Sequence, residues 1–450
     1  MRSDRHLPLL LSTTLLGFAS AHAADGDPDP GFGIGGYAAS GTTGYVVDAV
    51  AIRPDGRILT CGDDGFTGPG EGFVVMQFRA DGTLDPTFGD QGVTHVVFDP
   101  ADDTCTGIAV QPDGRIVVAG YVRSPAIPAG SLYAPAAARL THDGAPDPDF
   151  GDGAGKRIYA LRHIVNAMAL QGDGKILLAG MSLAAHPYDF SVLRILADGT
   201  PDPEFGTDAQ VTVSFVGTTS QDQAEAIAVD DQQRIVVAGT ADAGGASAIG
   251  VVRLLPDGQP DSAFGNDGQV RAGNDALHYG AFGNALVLQR DGKIVVAGGR
   301  NSLASPFANS TAVRLQEDGS VDTTYGDQGA TDIGFSPAGV PDTSFESAAI
   351  RQDDGKVVLA GVAFDADDHK YATVARLDTQ GQVDASFADG GSTIIPLADA
   401  QHPSQWFSAL ALSDGRVVAA GFVDDESGTI GGFSGLLVRL QSDLIFFDSL

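Results

Sequence analysis

The residues best suited to chemistry stand in short acidic and aromatic clusters. Asp365, Asp367 and Asp368 lie beside His369; Asp424, Asp425 and Glu426 make a second group, and Asp63-Asp64 a third. Clustered carboxylate oxygens suit Ca²⁺, a hard cation that takes many oxygen ligands. The spacing lacks the Asp-x-Asp-x-Asp-Gly loop, which favours a solvated acidic rim over a metal site. Trp406 is the only tryptophan, with His402 and Gln405 beside it. Such a trio can stack on and hydrogen-bond a sugar ring, and packing within the protein is the plainer alternative. Cys61 and Cys105 are the only cysteines. An oxidising compartment permits a bridge between them, and two buried thiols is the other reading. There is no His-Glu-x-x-His, no Gly-x-Ser-x-Gly and no phosphate loop; these are the local signatures of zinc peptidases, serine hydrolases and nucleotide binders. A triad assembled from distant positions leaves no such signature.

What must position these groups is a chain of 450 residues, 43% apolar, with 60 Gly and 23 Pro. That apolar content supports a packed core rather than disorder. Acidic residues outnumber basic ones 58 to 26, a net charge of -32. A nucleic-acid binder needs a basic footprint, and an anionic membrane surface repels this chain, so neither partner is expected. Arg2 and Arg5 precede an apolar stretch from Leu7 to Ala19, and Ser20-Ala21-His22-Ala23 closes it with small residues. A positive start, a short apolar core and an Ala-x-Ala site make a secretory signal peptide, residues 1–23, with cleavage expected after Ala23. No later segment is apolar for long enough to span a bilayer. The expected location is therefore periplasmic or extracellular.

The remainder is one phrase written seven times. Asp55-Gly-Arg-Ile-Leu-Thr-Cys-Gly62 returns as Asp113-Gly-Arg-Ile-Val-Val-Ala-Gly120 and Asp173-Gly-Lys-Ile-Leu-Leu-Ala-Gly180. It returns again from Gln232, Asp291, Asp354 and Asp414, with successive starts 58 to 63 residues apart. A second phrase, Asp-Gly-x-x-Asp-x-x-Phe-Gly, interleaves with it. Its second Asp is Asp29, Asp85, Asp147, Asp202, Asp261, Asp322 and Asp384; its aromatic is Phe32, Phe88, Phe150, Phe205, Phe264, Tyr325 and Phe387. Asp-Gly between β-branched runs marks a hairpin, because both turn positions tolerate positive φ. In the second unit the runs Val93–Phe98, Thr104–Gln111, Arg115–Val122 and Tyr133–Leu140 read as strands a, b, c and d. Four strands per unit of about 60 residues, repeated seven times, predict an all-β, seven-bladed β-propeller of four-stranded antiparallel blades. An open solenoid is the alternative, though its repeats are usually shorter.

The two ends point to closure. Asp25-Gly-Asp-Pro-Asp29 matches Asp81-Gly-Thr-Leu-Asp85 in register, while Leu437-Val-Arg-Leu440 stops where a fourth strand ends. The repeat is cut in its middle, so the N-terminal segment is expected to complete the last repeat and close the ring over residues 24–443. Residues 444–450 form a short tail outside the unit.

With both phrases in hand, the chain resembles the delta-60 repeat, a bacterial family of β-propeller repeats without an established function. The resemblance implies the fold and brings no catalytic residues. Local departures are Gln77, where other copies have Arg; Gln380, which replaces the turn Asp; and Ala388, which replaces Gly.

Arg139, Arg194, Arg253, Arg314 and Arg376 each precede the repeated Asp by eight residues, and Arg439 takes the same place in the last unit. Pairing of this Arg with the turn Asp is expected, since bidentate geometry orders a connection. The aromatic is expected to plug a gap between blades. A residue repeated seven times is read as scaffold. Antiparallel order puts the repetitive b–c and d–a turns at one end of the ring, and the unlike a–b and c–d loops at the other. Function on a rigid scaffold resides in such loops. The expected function is thus a monomeric binding module presenting its variable face to a glycan, peptide or protein. A hydrolase or lyase with an acidic or His site on that face is the alternative.

Overall fold

The computed structural model describes residues 25–441 except 64–71, 99–102, 124–132, 185–187, 216–220, 243–245, 275–277, 303–307, 335–341, 351–353, 365–369, 389, 396–403, 414–415 and 425–432. Strand β1 (Tyr37–Thr43) comes first in the chain. Blade one is β2 (Val46–Ile52), β3 (Ile58–Asp63), β4 (Phe73–Phe78) and β5 (Val93–Val96). Blade two is β6 (Asp103–Val110), β7 (Ile116–Arg123), β8 (Tyr133–Leu140) and β9 (Lys156–Ile158). Blade three is β10 (His163–Leu170), β11 (Ile176–Ser182), β12 (Asp189–Ile195) and β13 (Gln210–Val213). Blade four is β14 (Gln223–Val229), β15 (Ile235–Asp242), β16 (Ser247–Leu254) and β17 (Gln269–Ala272). Blade five is β18 (His278–Leu288), β19 (Ile294–Ser302), β20 (Ala308–Leu315) and β21 (Ala330–Ile333). Blade six is β22 (Asp342–Ile350), β23 (Val357–Phe364), β24 (Lys370–Leu377) and β25 (Ser392–Ile394). Blade seven takes β26 (Ser404–Ser413), β27 (Arg416–Asp424) and β28 (Phe433–Leu440) from the end of the chain and β1 from its beginning.

Every sheet is antiparallel, and the first strand of each blade packs on the first strand of the next. β26 packs on β2, so the seven first strands close a ring around the centre. The protein is a seven-bladed β-propeller. The blade and the written repeat differ in phase by one strand: Val93–Val96 is the outer strand of blade one, not the opening strand of blade two. Each blade is strands b, c and d of one unit plus strand a of the next. That phase leaves blade seven without an outer strand of its own, and Tyr37 pairs with Val438 to supply it.

The second strands explain why Ile-Val-Val-Ala shows no polar alternation. Ile116 and Val118 pack with Leu59 and Cys61 of blade one, while Val117 and Ala119 pack with Ile176 and Leu178 of blade three. A strand covered on both faces reads as an unbroken apolar run. Cys61 of β3 and Cys105 of β6 form a disulfide between blades one and two, with 5.9 Å between their Cα atoms. Among the described residues no helix is long and apolar enough to cross a membrane.

Candidate functional site

At the turn end, the repeated polar residues are committed to one another. Arg139 Nε donates to Asp147 Oδ2 at 2.6 Å, Arg194 to Asp202 at 2.8 Å, Arg253 to Asp261 at 2.7 Å and Arg314 to Asp322 at 2.9 Å. Arg376 donates to Asp384 at 2.7 Å, and Arg439 to Asp29 at 2.8 Å. The second nitrogen of each guanidinium reaches into the next blade, to the carbonyl of Ala197, Pro256, Glu317, Thr379 or Ala80, or to the Asp25 carboxylate. Its face lies 4.3 to 5.2 Å from the centre of the repeated aromatic ring. That ring is buried in all seven copies. The other carboxylate oxygen accepts a backbone N–H two residues on, as Asp147 does from Asp149 and Asp322 from Thr324. Burial works against the charge of Asp322, yet hydrogen bonds from Thr324 and the Arg314 cation bring its carboxyl down to about 2. An anion satisfied on both oxygens is a rivet between blades and has nothing left for a ligand.

Blade one keeps the rivet with its parts exchanged. Gln77 occupies the arginine position, and Arg53 replaces the glutamine that starts the hairpin turn in blades two, three and five. Arg53 donates to Gln77 Oε1 at 2.6 Å and to the His142 carbonyl of blade two at 2.7 Å, while Gln77 Nε2 donates to Asp85 at 3.0 Å. The cation still reaches the neighbouring blade, from the other strand.

The loop end is built differently. Each inner strand carries a β-bulge, marked by register shifts at Val47/Ala49, Cys105/Gly107, Val165/Ala167, Ala224/Ala226, Gly283/Ala285, Phe345/Ser347 and Phe407/Ala409. The extra residue is polar every time: Asp48, Thr106, Asn166, Glu225, Asn284, Glu346 and Ser408. A bulge re-aims a side chain that the pleat would otherwise bury. Thr106 Oγ1 donates to the Val165 carbonyl and Asn166 Nδ2 to that of Ala224, both at 3.0 Å and both across to the next inner strand. The repeated Gly of the Ala-Gly pair follows from the bulge. A Cβ on Gly120 would sit 1.9 Å from the Thr104 carbonyl oxygen, and Gly62, Gly180 and Gly239 face the same obstruction.

Blade one again departs. A carboxyl group at the bulge can donate only when protonated. Burial, and then the charge of Asp63, push Asp48 up to about 8. Asp63 follows the repeated Gly, where the other blades have Tyr121, Met181, Thr240, Gly299, Val362 and Phe422. Tyr45 is buried, its hydroxyl donating to Thr60 Oγ1 at 2.9 Å; burial raises its phenol, and Asp48 and Asp63 add to the shift. Tyr121 is raised by burial and by the same two carboxylates, and meets Tyr133 edge to face at 5.5 Å. Asp48, Asp63, Tyr45 and Tyr121 thus form one electrostatic cluster at the loop end, beside the Cys61–Cys105 bridge. In blade three the residue corresponding to Tyr45 is His163, wholly buried, with Nδ1 3.5 Å from Ser191 Oγ and no partner on Nε2. Burial brings its imidazole down to about 3, so it is neutral at physiological pH.

Of the residues singled out from sequence, Asp365, Asp367, Asp368, His369 and His402 lie outside the described residues, as do Asp64, Asp425 and Glu426. Gln405 and Trp406 are on inner strand β26, opposite Val423 and Phe422, not in the preceding loop. Among the described residues no three His, Cys, Asp or Glu side chains are placed to hold a metal ion. The bulge residues were missed, although they carry a sequence signal: a polar residue at the same place in the inner strand, in phase seven times.

Comparison with known proteins agrees with this geometry. Residues 53–88, 111–150, 171–205, 234–264, 289–325 and 352–387 match the family described as "Domain of unknown function (DUF5122) beta-propeller". Each stretch runs from the hairpin turn at the end of strand b to the repeated aromatic, so the match follows the rivets and supports a β-propeller repeat family. The seventh copy is divided between the chain ends. No curated protein matches the chain. Among solved structures, the polysaccharide lyase Uly1 is similar over 88% of this chain and 90% of its own, at 10% identity and a TM-score of 0.52. Sqt1 from Chaetomium thermophilum is similar over 90% and 97%, at 11% identity and a TM-score of 0.43. The Bacillus subtilis arabinanase Arb43A covers 61% and 92%, at 15% identity and a TM-score of 0.34. At 10% identity the likeness to Uly1 is one of fold.

Proposed function

We propose that this chain, whose repeats match a β-propeller family, is an exported binding module of the delta-60 kind that engages a glycan, peptide or protein through the loop end of its ring. One observation carries the reading. The charges repeated at the turn end are consumed in rivets between blades, whereas the loop end carries a polar bulge residue that changes from each blade to the next. Residues 1–23 are the leader in this proposal. The Cys61–Cys105 bridge supports an oxidising compartment, periplasmic or extracellular.

A hydrolase or lyase at the same end is the second reading, favoured by the Asp48–Asp63 pair. A carboxyl raised to about 8 by burial and by a neighbouring carboxylate can serve as a general acid at neutral pH. The likeness to a polysaccharide lyase lends only the fold.

The test is a glycan and peptide array probed with the mature chain, with Trp406→Ala and Asp63→Ala at the loop end, and with Thr87→Ala at the turn end. Binding lost in the first two variants and kept in the third is the expected outcome. Equal binding by all three, or none by the parent chain, defeats the reading. Products cleaved from a bound glycan by the parent chain, and not by Asp48→Asn, would move the assignment to the enzyme.

A further inference from the structure

One blade breaks the rule of the turn end. In six blades the basic residue after the hairpin turn lies over the rivet carboxylate of its own blade. The pairs are Arg57–Asp85 at 3.2 Å, Arg115–Asp147 at 2.9 Å, Lys175–Asp202 at 3.9 Å, Lys293–Asp322 at 3.5 Å, Lys356–Asp384 at 2.7 Å and Arg416–Asp29 at 3.8 Å. Blade four replaces Asp-Gly with Gln232-Gln233, and its cation turns elsewhere. Arg234 Nε donates to Asp230 at 2.6 Å, and its Nη2 donates to Glu317 of blade five at 3.2 Å. Gln233 sits at φ 62° and accepts the Gly172 N–H of blade three at 2.7 Å. The turn is tied to its preceding neighbour, and a cavity of about 440 Å³ lies between it and the corresponding turn of blade five.

The lining says what this cavity suits. Val229 and Leu288 give it a half-buried apolar wall. The Arg234 and Arg253 cations are spent, on Asp230 and Glu317 in one case and on Asp261 and the Glu317 carbonyl in the other, and Arg290, the third cation of the lining, is not free either. Asp231 is exposed at the rim with no hydrogen-bond or ion-pair partner among the described residues, and the side-chain amide of Gln232 beside it is likewise unengaged. No aromatic side chain lines the cavity, so a sugar ring finds no stacking platform. The net charge of -32 disfavours an anion.

We propose that the cleft between the hairpin turns of blades four and five is a second binding site, which takes a lysine side chain of a basic peptide. Its methylene stem lies along Val229 and Leu288, and its ammonium group meets Asp231 and the Gln232 carbonyl. A long cationic side chain covers an apolar wall while its head stays at the polar rim. This site is on the end opposite the loop face, so it stands or falls independently of the function proposed above.

The probe is the peptide Ac-Ala-Lys-Ala-Lys-Ala-amide, titrated calorimetrically into the mature chain at physiological salt, with a norleucine peptide as control. Saturable binding of the lysine peptide alone is expected, weakened about tenfold by Asp231→Asn. Glu204→Gln removes the same charge at an exposed site in blade three and is expected to leave binding unchanged. Asp231→Asn is also expected to melt with the parent chain, since Asp231 holds nothing in the fold. Equal weakening by both variants would mean diffuse attraction to an acidic surface and would overturn the site. Equal affinity for the norleucine peptide, or no saturable binding, would overturn it too.

Discussion

The exchange of Arg53 and Gln77 shows what each repeated residue is for. Six blades send the bridging cation from the third strand, and blade one sends it from the hairpin turn, yet the neighbouring carbonyl is reached in both arrangements. The requirement is one buried guanidinium reaching across each interface. Gln77→Arg alone would set a second buried guanidinium against Arg53 in place of the amide that accepts from it, and is expected to cost about 1–3 kcal/mol. Arg53→Gln in the same chain is expected to recover most of that loss. A double-mutant cycle by urea denaturation measures the coupling, and simple additivity would contradict it. Gln77 is visible in the sequence as a departure, but its compensating partner is not. Arg53 lies 24 residues away, in the hairpin turn after β2, and only the folded register brings the two together.

At the scale of strands, the hairpin turns and the buried second strands were legible because their chemistry is local. Asp-Gly dictates a turn, and an unbroken apolar run dictates cover on both faces. The bulges were not legible as bulges, since an extra residue has no meaning until the partner strand is paired with it. Their consequence was in plain view in the repeated Ala-Gly, where the glycine gives way to the carbonyl that each bulge displaces. Gly120→Ala is expected to cost about 3 kcal/mol through this contact. Ala119→Gly, one residue earlier, removes a buried methyl and is expected to cost only about 1 kcal/mol. Thermal melts of the two variants separate steric need from general packing. Trp406 teaches the same lesson in reverse. The unlike loop of the variable face in the last unit, read as running from 398 to 406, takes it in, yet strand β26 already begins at Ser404.

For the whole molecule, the ring was legible from repeat count and from the way the two ends share one unit. The offset between blade and repeat was not, because it depends on which strand faces the centre. The bridge between blades one and two pins one interface, with 44 residues separating its cysteines. A loop of that length gives about 4 kcal/mol in the chain-entropy account. Cys61→Ser with Cys105→Ser is therefore expected to lower Tm by about 4–5 °C in a protein of this size. Calorimetry of the variant in oxidising buffer checks this, and an unchanged Tm would show that the interface is held without the bridge.

The pairing of Tyr37 with Val438 also sets an order of events. Arg439 and Asp29 are 410 residues apart in the chain, so every residue between them must be made before they can meet. Until then six blades can assemble while the seventh lacks its outer edge, and the opening residues wait unpaired. Contacts of such range are slow to form. Ring closure is therefore the step that waits longest, whatever the order in which the other blades form.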